Sequence, residues 1–187
     1  MESLGAPAPL APGTTCGQRE PNKRGRDMAL RFDLSVLTFM ALVAGPVAAA
    51  DYVTLPLETT VDRPADTVWK KVSGYCDIAA WVKVSCIVTS GKPGEVGAVR
   101  RIADSLDEVL VARTERSYTY AQPKSPIDYH GTVEVRADGA GRSRILYTLL
   151  YDAEPLKTAD AKAADRNRRT SQFTAILTAM KTAAEAN

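Results

Sequence analysis

The chain has 187 residues, with 24 basic and 22 acidic side chains, one histidine and three cysteines. A net charge of +2 gives no electrostatic footprint for nucleic acid. One histidine and so few cysteines make a thin ligand set for a metal centre.

Residues 1–27 are rich in Pro, Gly and charge (GAPAPLAPG, then EPNKRGRD) and show no hydrophobic period, so disorder is expected there. Residues 28–50 then run from a short basic start, through the apolar stretch Leu34–Val47, to Ala48-Ala49-Ala50. That is the layout of a secretory signal peptide with a cut after Ala50. The apolar stretch is 14 residues long, whereas a spanning helix needs about 20. Cleavage predicts a periplasmic or secreted protein with no stable membrane span, and an uncleaved anchor is the alternative. Met28 is the expected translation start. The alternative is a long basic leader carrying Lys23, Arg24 and Arg26.

Residues 51–187 then form a single domain of 137 residues, large enough to bury a core. They keep 19 basic and 18 acidic residues after the five and four of residues 1–50 are removed. Cys16 is lost with the leader, leaving Cys76 and Cys86 as an even pair in an oxidising compartment. A disulfide between them is predicted, stabilising by roughly 2–3 kcal/mol through loop closure. Free buried thiols or a metal site are the alternatives, and the spacing is not the C-x-x-C of thiol redox chemistry.

The elements follow in order. Asp51–Val61 is rich in β-branched residues and reads as a strand. Asp62 or Arg63 can cap a helix with Pro64 and Asp66 in its first turn, running to about Ser73 with Val68 and Val72 inward and Trp69 beside them. A second short helix is expected over Asp77–Val82, with Ile78 and Trp81 as its apolar pair. The period then switches to two. Strands are predicted at Ser85–Ser90, Val96–Ala103, Glu108–Thr114, Ser117–Ala121, Tyr129–Ala137 and Ser143–Asp152, with a hairpin around Asp104–Asp107. The fifth of these puts Tyr129, Gly131, Val133 and Val135 on one face, and His130, Thr132 and Glu134 on the other. A long helix, about Ala159–Ala184, closes the chain with Phe173, Ile176, Leu177, Met180 and Ala184 as an apolar stripe.

Six consecutive strands make an antiparallel meander, and the one-sided stripe of the last helix needs a sheet face to cover. The class is α+β: a strongly curved sheet wrapped around a long helix, with a cavity between them.

This order, with the segments VDRPADTVWKKVSGYCDIAAWV, GEVGAVRRI, LDEVLVARTERSYTYA and DYHGTVEVRADGAGRSRILYTLLY, resembles the SRPBCC superfamily. Its helix-grip fold is shared by START domains, birch-pollen-allergen-like proteins and polyketide cyclase/dehydrase-like proteins. The resemblance covers nearly all of residues 51–187. It implies a binding site for lipids, sterols, quinones, hormones or polyketides. Where bacterial relatives often carry an aromatic or His-Pro pair, this chain has Trp81-Val82-Lys83.

Nucleophile elbows, phosphate-cradling glycine loops and metal-ligand spacings are missing from the sequence, and no cofactor is expected. His130 falls on the polar strand face, where it is expected to be idle. The basic cluster Arg166–Arg169 reads as a solvated helix face. Tyr129, Tyr147 and Tyr151 share parity with aliphatic neighbours, and Tyr118 and Tyr120 lie on a strand. A phenol has an apolar body and a polar tip, which suits a pocket for an amphipathic molecule. Ordinary core tyrosines are the alternative. Arg100 and Glu108 can oppose each other across neighbouring strands, either at the cavity or outside it. Trp81, Phe173 and Leu177 complete the candidate ligand-binding set. Two functions remain open beside a closed core with no ligand. One is a non-catalytic binding protein holding a hydrophobic small molecule between sheet and helix. The other is a cyclase- or dehydratase-like enzyme using Tyr, Arg and Glu in the same cavity.

Overall fold

A computed structural model describes residues 50–186. The expectations for residues 1–27, the signal segment up to residue 49 and Cys16 lie outside the described residues. Among the described residues no helix is long and apolar enough to cross a membrane.

Among the described residues, seven strands and three helices follow one another as β1 (Tyr52–Val61), α1 (Ala65–Val72), α2 (Ile78–Val82), β2 (Cys86–Ser90), β3 (Val99–Ile102), β4 (Leu106–Arg113), β5 (Ser117–Ala121), β6 (His130–Ala137), β7 (Ser143–Asp152) and α3 (Ala159–Glu185). The sheet order is β1-β7-β6-β5-β4-β3-β2, with every neighbour antiparallel. This is the predicted meander, closed by β1 returning to pair with β7. In β6 and β7 the burial alternates residue by residue, so Gly131, Val133 and Val135 face the core together with Ile145, Tyr147, Leu149 and Tyr151. The stripe of α3 covers that face with Phe173, Leu177, Met180 and Ala184. This is the helix-grip arrangement.

The pairings β1–β7, β6–β7 and β5–β6 keep regular register, whereas β2 shifts between Val88 and Ser90 and β4 between Leu110 and Ala112. An extra residue bends its strand and increases the local twist. The curvature is therefore concentrated in the β2–β4 half of the sheet.

Some local expectations need correction. Pro64 itself is the N-cap of α1, and neither Asp62 nor Arg63 caps it. Arg63 instead donates from Nη2 to the Glu185 carbonyl oxygen at 3.0 Å, and the Asp62 amide donates to Glu185 Oε1 at 3.0 Å. Both contacts tie the end of α3 to the β1–α1 junction. Strand β3 starts at Val99, because Gly94 and Gly97 take positive φ (80° and 92°) in the preceding turns. The β3–β4 hairpin turns on Ala103 and Asp104, both at positive φ, so β4 begins at Leu106. Thr158 caps α3, accepting from the Ala161 amide at 3.1 Å. Cys76 and Cys86 are disulfide-bonded, joining the turn before α2 to the first residue of β2. The eleven-residue loop so closed contains all of α2.

Candidate functional site

The sheet and α3 do not touch along their whole length. Between β3–β5, α2 and the middle of α3 lies a cavity of about 330 Å³. Its apolar wall is Ile78 and Val82 of α2, Val84 just beyond, Ile102, Leu106, and Phe173 and Ile176 of α3. Tyr120, Tyr129 and Tyr147 form the tyrosine side, with Glu108 and Gln122 next to them. Arg168, Arg169 and Gln172 complete the lining from α3. A second depression of about 350 Å³ between α2 and α3 shares Val82, Gln172 and Ile176 with it and adds Trp81.

Local sequence explains the tyrosine side. Tyr120 of β5 pairs with Gly131 of β6, and a Cβ on Gly131 would lie 2.4 Å from the Tyr120 ring and hydroxyl. Glycine inside a strand here permits the close approach of a neighbouring side chain. The Tyr120 ring lies in that space and its hydroxyl reaches the Tyr147 hydroxyl at 2.7 Å. Tyr147 packs edge-on against Phe173 with ring centroids 5.0 Å apart. Tyr129 is 2% exposed and its hydroxyl has no hydrogen-bond partner among the described residues. Burial raises the affinity of Tyr120, Tyr129 and Tyr147 for their protons well beyond that of a free phenol. All three are neutral at physiological pH.

Behind the cavity floor sits a buried ion pair. The register places Arg100 opposite Glu108, and Arg100 Nε and Nη2 donate to Glu108 Oε2 at 2.9 and 2.6 Å. Gln122 Nε2 donates to the other oxygen, Oε1, at 3.0 Å. Arg100 also donates to the Tyr75 carbonyl oxygen, and Tyr75 returns its hydroxyl to the Glu108 carbonyl oxygen at 3.0 Å. The guanidinium lies 4.5 Å from the Tyr75 ring centroid and 5.0 Å from that of Tyr120, a cation–π cage. Desolvation disfavours its charge, but the adjoining Glu108 carboxylate outweighs that and holds it cationic. Arg100 is thus a pillar behind the site, and Glu108 carries the pair to the cavity surface.

Of the ten candidate residues, Glu108, Tyr120, Tyr129, Tyr147 and Phe173 line the main cavity and Trp81 lines its neighbour. Tyr118 packs instead against Trp69 and Tyr75, at 6.1 and 6.2 Å between centroids. Tyr151 lies under Arg169, whose guanidinium is 4.4 Å from its ring centroid, and Leu177 belongs to the packed core. The expected solvated basic face is corrected at Arg169. Its side chain is 13% exposed, paired with Asp165 at 2.6 Å and stacked over Tyr151 and Tyr129. The signal was present, because residues 165, 169 and 173 recur every four and put Asp165 and Arg169 on the Phe173 stripe. Gln122 and Gln172 carried no such signal. His130 points its Nδ1 to the Asp128 carbonyl oxygen at 2.9 Å and does not line the cavity. Among the described residues no group of three or more His, Cys, Asp or Glu side chains is placed to hold a metal ion.

Residues 53–185 match the family described as "Polyketide cyclase / dehydrase and lipid transport". The chain belongs to this SRPBCC family. A search of curated proteins returns no match. Solved structures of low sequence identity share the fold. A protein of Nitrosospira multiformis is 17% identical, covering 70% of this chain and 94% of its own, with a TM-score of 0.59. An aromatase/cyclase of Streptomyces sp. R1128 is 19% identical over 72% and 94%, TM-score 0.55. A norcoclaurine synthase variant of Thalictrum flavum, bound to a transition-state analogue, is 16% identical over 74% and 97%, TM-score 0.52. At these identities the likeness concerns the fold.

Proposed function

We propose that the protein is an exported carrier that holds a small amphipathic, lipid-like molecule in the cavity between the sheet and α3. The observation that carries this reading is the lining itself: a continuous apolar wall facing three buried phenols, one with its hydroxyl unpartnered. A buried hydroxyl without a partner costs about 1–3 kcal/mol, and a ligand oxygen placed beside Tyr129 would relieve it. The family's description, which names lipid transport, supports the same reading. Export is supported by the leader layout and the Cys76–Cys86 bond. The chain is also engaged from Asp51 onward, since the Ala153 amide donates to the Asp51 carbonyl oxygen at 2.8 Å.

The second reading, a cyclase- or dehydratase-like enzyme, is favoured by Glu108 and the Tyr120–Tyr147 pair meeting at the cavity surface. Their chemistry argues for binding. Glu108 already accepts two bonds from Arg100 and one from Gln122, which leaves it a poor general base. The phenols hold their protons too tightly for acid catalysis near neutrality.

Native mass spectrometry of protein expressed with its leader and recovered from the periplasm tests the carrier. The expected result is a mature chain beginning at Asp51 with a small-molecule adduct. Apo protein that also fails to take up an apolar cavity dye would sink the carrier reading, and an unprocessed N-terminus would sink export.

A further inference from the structure

Asp51 lies just ahead of β1, yet both its backbone groups and its side chain are engaged. Its carbonyl oxygen accepts from the Ala153 amide at 2.8 Å, and its carboxylate accepts from Lys162 Nζ of α3 at 2.6 Å. Its nitrogen donates to Asp152 Oδ1 at 2.9 Å, at the end of the β1–β7 ladder where Tyr52 pairs with Asp152. The acids around that nitrogen differ in their partners. Asp51 is paired with Lys162, and Glu154 with Lys157. Asp128 accepts from the Tyr52 hydroxyl at 2.6 Å. Asp152 has no Lys or Arg partner among the described residues, and its Oδ1 accepts only the Asp51 nitrogen and the Glu154 amide, each at 2.9 Å. The half-buried carboxylate that faces the Asp51 nitrogen is therefore one without a cation.

We infer that the fold is built to receive Asp51 as its N-terminus: hydrolysis of the Ala50–Asp51 bond leaves an α-ammonium facing Asp152, and this ion pair locks the start of β1 onto the end of β7. This rests on the export reading and gives the cut a structural role. An envelope endopeptidase adds water across the peptide bond. The oxygen leaves with Ala50 as a carboxylate, and the nitrogen stays on Asp51 as an ammonium. In the precursor the same nitrogen is a neutral amide, and a charge-assisted hydrogen bond is the stronger of the two.

Two chains test the lock, one cut from a fusion so that it begins at Asp51 and one that keeps Ala48-Ala49-Ala50. The pH dependence of acetylation, followed on the N-terminal peptide by mass spectrometry, reads the α-amino pKa. In the Asp51 chain it should lie about half a unit or more above the ordinary range of about 7.7–8.0. Asp152→Asn keeps an acceptor oxygen, loses the charge and should return it to that range. A raised α-amino pKa gives stability that is complete below the unfolded value and lost as pH rises through the folded one. The Asp51 chain should therefore show the higher urea midpoint near neutrality and lose that advantage between about pH 8 and 10. An ordinary α-amino pKa, no midpoint gap, or a gap that ignores pH or survives Asp152→Asn overturns the lock while export stands. The mass of the exported protein decides the rest, and a mature chain that begins anywhere but Asp51 overturns the processing site itself.

Discussion

The two halves of α3 meet the same sheet in different ways. The C-terminal half lies on β1 and α1, where Val61, Val68 and Met180 are wholly buried and Ala184 nearly so. Its end is fastened by Arg63 and Asp62 to Glu185 and by Lys181 Nζ donating to the Thr60 carbonyl oxygen at 2.7 Å. The stretch of α3 up to Ile176 stands off β4 and β5 across the cavity, and Ile176, Val82 and Val84 there are only partly buried. One half supplies stability through packing. The other gives up packing for space, and its walls are held by a disulfide and a buried ion pair. Substitutions should therefore separate stability from binding according to the half in which they fall.

The largest effect is expected at the cavity floor. Glu108→Ala leaves Arg100 charged and buried among Tyr75, Tyr118 and Tyr120, and should cost about 3–5 kcal/mol in urea unfolding. A loss below about 1 kcal/mol would mean that water reaches the guanidinium. Met180→Ala in the closed half should cost about 2–5 kcal/mol with little change in ligand affinity. Ile176→Ala in the open half should cost less than about 1.5 kcal/mol and weaken binding. Similar stability losses at the two positions would erase the distinction. Replacing both cysteines by serine frees α2 and should lower stability by about 2–3 kcal/mol, with the transition midpoint shifting in step. Gly131→Ala should cost about 1–3 kcal/mol by displacing the Tyr120 ring, and the loss of the Tyr120–Tyr147 contact can be read from hydroxyl proton resonances.

The smallest effect is one of pH. Tyr75, Tyr118, Tyr120, Tyr129 and Tyr147 all hold their protons more tightly in the fold than in the unfolded chain, mainly through burial. The unfolded chain ionises first, near pH 10, so the stability from these groups is complete below that pH and falls as pH rises above it. In an alkaline titration these five tyrosines should give their tyrosinate absorbance only as the protein unfolds. Early ionisation of all five would contradict their burial.

Much of the fold is legible in the sequence because its signals are local and repeated. β6 and β7 alternate without interruption, and the α3 stripe keeps its spacing from Phe173 to Ala184. The site is less legible, because membership depends on where the sheet bends. Glu108 and Leu106 line the cavity while Tyr118, two residues from Tyr120 on the same strand, meets Trp69. Alternation gives a side chain's face and not the depth beneath it. Arg169 was hidden in a charge cluster whose other members, Arg166 and Arg168, are exposed.

On the carrier proposal, the open part of α3 is where the ligand is received. Hydrogen exchange on the mature protein, with and without saturating decanoate and decanol, tests it most directly. Protection is expected at α2, β5 and residues 165–176 of α3, with the amides of β1, α1 and residues 177–185 unchanged. Uniform protection, protection confined to the closed half, or no change with either compound would contradict it.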